Sequence, residues 1–398
     1  MVTPTNVKDI LLAEKVLNRN INPSVEKELW AKSAGRCQFD GCNRILYKSP
    51  VTQEKVNISE KAHIYSFSED GPRGWSNELT TDQTLINDIS NLMLLCHDCH
   101  KKIDKDTNGV VYSAELLQQW KYEHEYRVYI TSSISVEKQS HVVLYCANIG
   151  DQNSTINTKE VFTAMFPEKY PVNELPLDLS TKLSFKDKDM IFWQAESQNL
   201  EKSFKEVILP KIKDNNPADF SVFAFAPIPL LIKLGTLFTD KISVDTYQPI
   251  REPKTWCWQE EPEDFEFLIS EPSDYSKEPV LVLSLSGKIS EDRVYEVTGE
   301  NMNIWEVTIP EVFLHNDFIK AKSQLSLFRK EMRKLMVKIN EKHPSKPLKI
   351  FPAMPISCSV ELGRIRMPKS DMQWIIYDQN NKHNKFMETI VIGEDTND

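Results

Sequence analysis

Apolar positions with helical spacing flank the first third of the chain. Within residues 1–30, which we expect to be largely helical, Leu11, Leu12, Val16 and Leu17 form a partial stripe that Pro23 should interrupt. A second helix is predicted after Ser113, which suits an N-cap, and its apolar positions are Leu116, Leu117, Trp120 and Tyr122. The intervening residues 37–110 are rich in turns, and the polar, aperiodic residues 131–140 are predicted to be a linker.

Continuous apolar runs beyond this linker predict buried strands. His141–Ala147 and Val280–Leu285 each end in small polar residues or glycine. Such strands, separated by helical stretches, indicate an α/β fold whose sheet is covered on both faces. The longest predicted helix is Asp317–Lys342, which ends before Pro344.

One sequence pattern occurs twice in this C-terminal region. Phe, Pro, Ile, Leu and Gly recur at the same offsets in the segments that begin at Val222 and Ile350, 128 residues apart. Each copy predicts a strand, a proline-containing turn and a helix. We therefore expect a domain over 141–395 built from two related halves, about 141–265 and 266–395, with a cleft between them.

Charge and hydropathy narrow the possible environments. The net charge of the 398-residue chain is −10, and residues 1–128 carry 16 Lys and Arg against 18 Asp and Glu. Neither part has the basic excess of a protein that holds nucleic acid by charge alone. No apolar run is long enough for a membrane span, and the N-terminus does not resemble a secretion signal, so a cytoplasmic protein without a membrane partner is expected.

Four of the seven cysteines form two close pairs. Cys37 and Cys42 make the first pair, and Cys96 and Cys99 make the second. Without a secretion signal, paired cysteines favour metal over disulfides. Four thiolates can close a tetrahedral Zn²⁺ site with no open position, so we predict a structural zinc that stabilises a turn-rich domain over residues 1–130.

Residues suited to phosphodiester hydrolysis lie around these pairs. His63 is positioned to act as a general base, and Asn91 to orient it through the side-chain amide. His100 is a candidate ligand for a divalent metal that stabilises charge on the phosphate and on the leaving oxygen. Arg73, in a Gly-Pro-Arg-Gly turn, either binds a DNA phosphate or belongs to an ordinary turn.

Residues 33–105 resemble the HNH endonucleases of the ββα-metal type with paired zinc knuckles. The resemblance rests on Cys-x4-Cys, Ala-His-Ile, Gly-Pro-Arg and Asn-Leu-x-x-Leu-Cys-x-x-Cys-His as a set. It implies that His63 is the base, Asn91 the orienting residue and His100 a metal ligand.

Two positions depart from this pattern. Ala62 stands where many relatives have a metal-binding acid or histidine, and Asp104 stands where many have a second histidine. Asp104 can bind Mg²⁺ or Mn²⁺ through oxygen. Asp70 or water is expected to replace the ligand missing at Ala62.

Residues 140–395 resemble the SAVED domains of bacterial anti-phage signalling, which look like two fused CARF-type Rossmann-like units and bind cyclic oligonucleotides. The segments that carry this resemblance are 225–235, 255–258 and 351–364. An HNH domain followed by SAVED is the arrangement of the effector nucleases of CBASS immunity. The resemblance implies a double-stranded DNA nuclease that is activated by a cyclic nucleotide, most simply a cyclic dinucleotide, and a dimer that assembles to a tetramer.

A cyclic dinucleotide needs apolar surfaces for its bases and N–H or cationic donors for its phosphates. Candidates follow the predicted strand ends, form the two proline turns or are nearby aromatic residues. They are Asn148, Pro227, Tyr247, Trp258, Ser286, Gly287, Lys288 and Pro355.

Two other functions are compatible with parts of the sequence. The zinc domain alone fits a non-catalytic module that recognises DNA or protein, although His63, Asn91 and His100 together argue for catalysis. A modification-dependent HNH restriction endonuclease would read altered bases with its C-terminal region. That region carries 32 basic against 40 acidic residues, which is a poor match for DNA.

Overall fold

The protein consists of two compact units. The computed structural model describes residues 20–67, 71–74, 83–150, 155–181, 186–214 and 219–393. Unit 1 covers Met1–Ile134 and unit 2 covers Ser135–Asp398. The apolar stripe predicted around Leu11 and the candidate ligand Asp70 lie outside the described residues.

The described residues of unit 1 form two antiparallel strands and three α-helices. The helices are α1 (Pro23–Lys32), α2 (His97–Lys105) and α3 (Ala114–Ser132), and the strands are β1 (Ser59–His63) and β2 (Leu92–Cys96). Short 3-10 turns span Gln83–Asn87 and Ile89–Asn91. The order β1, β2, α2 is the predicted ββα arrangement.

Two helix starts in this unit test the sequence predictions. Ser113 caps α3, since its Oγ accepts from the Leu116 N–H, as predicted. Pro23 does not interrupt a helix but begins α1, where its fixed φ suits the first turn and its missing N–H leaves no donor unpaired. All five residues of β2 are buried, and Leu92, Met93, Leu94 and Leu95 form the centre of the core of this unit.

The segment predicted as a linker, 131–140, is shorter in the structure. Helix α3 continues to Ser132, and the first strand of unit 2 begins at Gln139. Its Ser140 is fully buried and pairs with Ser221 Oγ at 2.9 Å, which draws the polar end of the segment into the sheet.

Unit 2 contains two sheets, each with helices. The first half comprises β3 (Gln139–Cys146), α4 (Thr158–Met165), β4 (Tyr170–Pro171), β5 (Leu177–Asp178), α5 (Met190–Ser203), a π-helical segment (Phe204–Ile208), α6 (Leu209–Asp214), β6 (Asp219–Phe225), α7 (Ile228–Phe238) and β7 (Ser243–Thr246). The second comprises β8 (Leu268–Ser270), β9 (Glu278–Ser284), α8 (Glu291–Thr298), β10 (Met302–Thr308), α9 (Lys322–Lys342), β11 (Leu348–Ala353), α10 (Ile356–Arg364), β12 (Trp374–Asn380) and β13 (Lys385–Ile392).

The strand order repeats between the two sheets. In the first, β3, β6 and β7 are parallel neighbours, with β4 and β5 parallel on the other side of β3. In the second, β9, β11 and β12 are parallel neighbours, with β10 parallel on the other side of β9. The antiparallel strands β8 and β13 are added at the edges. This repetition confirms the two related α/β halves that the duplicated sequence predicted.

The duplicated helices α7 and α10 meet at a pair of glycines. A Cβ atom added to Gly235 would lie 2.0 Å from the Val360 carbonyl oxygen, and one added to Gly363 would lie 2.0 Å from the Ile232 oxygen. The two distances are equal because the crossing is close to a local two-fold axis. Side chains larger than hydrogen do not fit there, which explains why glycine occurs in both copies.

The longest helix, α9, begins later than predicted. Residues 317–321 are not helical, and Gln324 Oε1 instead accepts from the Lys320 and Ala321 N–H groups ahead of the first turn. The predicted stripe of α9 is buried, from Leu325 to Ile339. Among the residues that the structure describes, no helix combines the length and apolarity that a membrane crossing requires.

Candidate functional site

The two cysteine pairs converge on one point of unit 1. Cys37 and Cys42 lie in the loop after α1, Cys96 ends β2, and Cys99 lies in the first turn of α2. Their four sulfur atoms all lie within 4.8 Å of one another. Zn–S bonds of about 2.3 Å in a tetrahedron place sulfur atoms about 3.8 Å apart. The cluster therefore fits a four-thiolate zinc, and it is the only such ligand group found among the described residues.

Burial makes two of the four thiols, Cys37 and Cys99, poor acids, whereas the pKa of Cys96 is lowered because its hydrogen bonds outweigh its burial. Burial raises the pKa of Cys37 to about 12, and it raises the pKa of Cys99 far above its usual range. A bound cation reverses this effect, because thiolates are the ligands and zinc binding releases their protons. A metal bound here would therefore contribute directly to the stability of α2 and of the loop that contains Cys37.

His63 is the last residue of β1 and pairs with Leu92 in the strand register. Its Nε2 lies 3.0 Å from Asn87 Oδ1. An amide oxygen only accepts, so this contact requires the proton on Nε2. Asn87 thus contacts the His63 ring directly, as had been predicted for Asn91.

Asn91 contacts the backbone around His63 instead of its ring. Its Oδ1 accepts from the Tyr65 N–H at 2.8 Å, and its Nδ2 donates to the carbonyls of Tyr65 at 3.0 Å and Ile86 at 2.9 Å. The side chain is buried, so these bonds are shielded from water. The Asn91 amide thus holds the chain just after His63, so the predicted orientation of His63 by Asn91 would act through the backbone.

His100 lies between two carboxylates. Its Nδ1 is 3.2 Å from Glu60 Oε2, and its Nε2 is 3.3 Å from Asp104 Oδ2. Glu60 also contacts His97 Nδ1 at 2.8 Å, and this hydrogen bond, with that of His100, holds the pKa of Glu60 below its usual value. Glu60 was not predicted from the sequence, although it lies on the same strand as His63.

Arg73 is buried, contrary to a role on the DNA surface. Its Nε donates to the Ile64 carbonyl and one terminal nitrogen to the Ile103 carbonyl, both at 2.8 Å. The other terminal nitrogen is 3.8 Å from Asp104 Oδ1. These contacts favour a bracing role between the loop after β1 and α2 over the predicted phosphate contact.

One open cavity brings the predicted hydrolytic residues together. Its volume is about 810 Å³, and its walls include Glu60, His63, Arg73, His100 and Asp104. Asn91 is buried and is not part of its wall. The cavity thus offers a basic imidazole, a second imidazole and two carboxylates to one bound phosphate group, which suits metal-assisted hydrolysis.

A second cavity lies in unit 2, beyond the carboxyl ends of β6 and β11. Its volume is about 870 Å³, and it is lined by both halves. Phe225 ends β6 and Met354 follows β11, while Arg251 and Lys254 lie on a loop closed by the Ile250–Thr255 bridge. Trp256 and Gln248 complete an environment with aromatic surface, cations and amide donors.

Most residues predicted to bind the nucleotide do not line this cavity. Of the eight, Pro355 is part of its wall. Tyr247 is 1% exposed and stacks with both Phe223 and Trp258, so it belongs to the core. The remaining five follow strands or cap α7 away from the cavity wall: Asn148, Pro227, Ser286, Gly287 and Lys288.

Two family models match the chain. One, described as HNH endonuclease, matches residues 37–110, and one, described as SMODS-associated and fused to various effectors sensor domain (SAVED), matches residues 200–392. No curated protein matches the chain.

Solved structures that match the chain include receptors from two bacteria. The Acinetobacter baumannii Cap4 SAVED/CARF-domain containing receptor with the cyclic trinucleotide 2'3'3'-cAAA is 11% identical, with a TM-score of 0.40, over 74% of this chain and 65% of that one. The Moraxella osloensis Cap4 receptor is 10% identical, with a TM-score of 0.36, over 73% and 63%. The chain thus spans slightly under two thirds of the length of these receptors.

Proposed function

From a chain that joins an HNH endonuclease domain to a SAVED sensor domain, we propose a metal-dependent DNA endonuclease that a cyclic oligonucleotide activates. The observation that carries the nuclease assignment is the cavity in which His63, His100 and Asp104 meet. We place the enzyme among the effectors of CBASS anti-phage defence, acting on double-stranded DNA in the cytoplasm.

The mechanism that this geometry supports begins at His63. Its Nδ1 takes a proton from water, while Asn87 holds the Nε2–H and Asn91 fixes the adjoining backbone. His100 Nε2 and Asp104 would hold Mg²⁺ or Mn²⁺, which supplies positive charge to the phosphate and the leaving 3′ oxygen. The four thiols fit a structural zinc that keeps α2, and with it His100, beside β1.

We propose that the cyclic nucleotide binds in the cavity of unit 2. Arg251 and Lys254 provide the charge that two phosphates require, and Phe225 provides a ring that is 37% exposed and available for stacking on a base. A cyclic dinucleotide is our first choice of ligand, with cyclic trinucleotides as the alternative.

The resting enzyme should cleave DNA poorly. Unit 1 lacks an excess of positive charge, so DNA binding by one copy is weak. Ligand binding can activate the enzyme only if the active assembly binds the ligand more tightly than the resting one. Raising the active fraction from about 1% to about 99% requires about 5.5 kcal/mol, which several protomers can supply together. We therefore propose assembly from dimer to tetramer.

The test is digestion of plasmid DNA by the full chain with Mg²⁺ and a panel of cyclic di- and trinucleotides, followed by light scattering. Cleavage and a rise in mass with one ligand would support the proposal. Full cleavage without ligand at constant mass would refute the regulation and leave the nuclease. Binding of DNA without any cleavage would indicate a recognition module, and binding of modified bases by unit 2 would indicate a restriction enzyme.

A further inference from the structure

The position of His100 between Glu60 and Asp104 raises a question of proton placement. A neutral imidazole has one N–H and one lone pair, so it can donate to one of these carboxylates and must turn its lone pair toward the other. A cation between the lone pair and the second carboxylate removes their mutual repulsion. The two carboxylates therefore have different roles, and the surroundings of each show which role it has.

Glu60 has the surroundings of a hydrogen-bond acceptor. Its Oε1 is 2.8 Å from His97 Nδ1 and its Oε2 is 3.2 Å from His100 Nδ1, so each oxygen already serves one imidazole. β1 also holds its backbone in register with Leu95 of β2. A carboxylate that is shared between two rings is poorly placed to leave them for a metal.

Asp104 has the surroundings of a metal ligand. It lies one helical turn after His100 on α2, so its Oδ2 and His100 Nε2 reach the same point of the helix surface, 3.3 Å apart. Its side chain is about half exposed and borders the cavity that contains His63. An imidazole nitrogen and a carboxylate oxygen are donors that Mn²⁺ accepts.

We propose that Glu60 is a positioning residue of the nuclease, accepting the Nδ1–H of His100 so that the Nε2 lone pair faces Asp104 and the catalytic cation. This inference rests on the proposed nuclease function. A carboxylate that fixes the tautomer and ring orientation of a metal-binding histidine is a recurrent arrangement, and its loss weakens metal affinity or activity about 10- to 100-fold. Ala62 is fully buried and has no ligand atom to offer a metal. The acid that β1 supplies is instead Glu60, two residues earlier, and it acts through His100.

The test uses the zinc-loaded full chain and three measurements on Glu60→Ala and Glu60→Gln. Histidine ¹⁵N NMR at about pH 8, assigned with a His100→Gln variant, should show the Nδ1–H form of His100 in the parent protein and its loss in Glu60→Ala. Mn²⁺ affinity, measured by calorimetry, should fall about 10- to 100-fold. Ligand-activated cleavage should lose kcat by a similar factor with an unchanged KM for DNA.

Glu60→Gln should lower the Mn²⁺ affinity and kcat less than Glu60→Ala does, because its amide oxygen can still accept the Nδ1–H of His100. Glu54→Gln, which changes an exposed acid of the same unit beside Thr52, is the matched control and should change none of the three. The zinc content of each variant shows whether unit 1 is folded. If Glu60→Ala loses its zinc, the positioning role is judged from Glu60→Gln alone.

The outcomes separate this inference from the nuclease proposal. An unchanged His100 tautomer and unchanged Mn²⁺ affinity in both variants would overturn the positioning role, even if the parent protein cleaves DNA. A parent protein that never cleaves DNA, but whose Mn²⁺ affinity and tautomer depend on Glu60 as stated, would refute the function and leave the positioning role standing.

Discussion

The glycine crossing of α7 and α10 gives a prediction whose size follows from the structure. In Gly363→Ala the new Cβ would lie 2.0 Å from the Ile232 oxygen and 2.9 Å from Gly235 Cα. Nonbonded carbon atoms need about 3.5 Å or more, so the helices must separate by more than about 1 Å. Both helices are buried, and no flexible side chain is available to move aside.

Overpacking of this kind typically costs about 1–3 kcal/mol. Because the obstacle is backbone, we expect a value near the upper limit, about 3 kcal/mol. For a unit of this size each kcal/mol shifts the melting temperature by about 2–4 °C. Gly363→Ala should therefore melt about 6–12 °C below the parent protein. Gly235→Ala should behave alike because its clash is equivalent.

The assay is thermal unfolding followed by tryptophan fluorescence, to which five tryptophans of unit 2 contribute: Trp193, Trp256, Trp258, Trp305 and Trp374. Gly287→Ala is the control, since its Cβ would meet nothing within 4 Å. The stability lost in the double variant Gly235→Ala/Gly363→Ala should be less than the sum of the two single losses. Once one methyl group has separated the helices, the second can be accommodated at little further cost. A Gly363→Ala protein that melts with the parent, or strictly additive losses, would refute this account of the crossing.

Three further predictions concern the two sites. His63→Ala should lower kcat for DNA cleavage by about 10²- to 10⁴-fold without changing zinc content or melting, and rapid cleavage by a folded variant would contradict the general-base role. Cys96→Ser should lose the zinc and the folded structure of unit 1, which metal analysis and circular dichroism would show; one zinc per chain with native melting would exclude the four-thiolate site. Replacing Arg251 and Lys254 together by Ala should weaken binding of the activating cyclic nucleotide at least about 10-fold in calorimetry, while Lys288→Ala should leave it unchanged. A loss of binding in Lys288→Ala but not in the double variant would show that the ligand does not bind in this cavity.

Close sequence spacing predicted those parts of the molecule that depend on neighbouring residues. Cys96 and Cys99 are separated by one helical turn, and the partner pair was recognisable because thiols are rare. The duplicated strand–turn–helix units were equally recognisable, because the same packing requirement keeps a glycine at both Gly235 and Gly363. The ββα order of unit 1 and the two halves of unit 2 could be predicted from these features.

Contacts between distant segments were not predictable in the same way. Asn87 reaches His63 across 24 residues, and Glu60 reaches His100 across 40, and no spacing rule connects them. Asn91 was chosen for its position before the second cysteine pair, but burial directs its amide to the backbone. Tyr247 was chosen as an aromatic near a strand end, where the sequence gives no sign that Phe223 stacks on it.

The fusion of two similar halves in one chain has a consequence for ligand discrimination. A cavity between two identical subunits repeats every contact, so any mutation alters both walls at once and the site prefers ligands with matching symmetry. Here one wall contains Phe225, Arg251 and Lys254, while the other contains Asn316 and Met354. Each wall can therefore change independently, and the two sides of the cavity present different chemistry. If this cavity binds a cyclic nucleotide, as proposed, it can distinguish a ligand with two unlike bases or linkages from its symmetric counterpart.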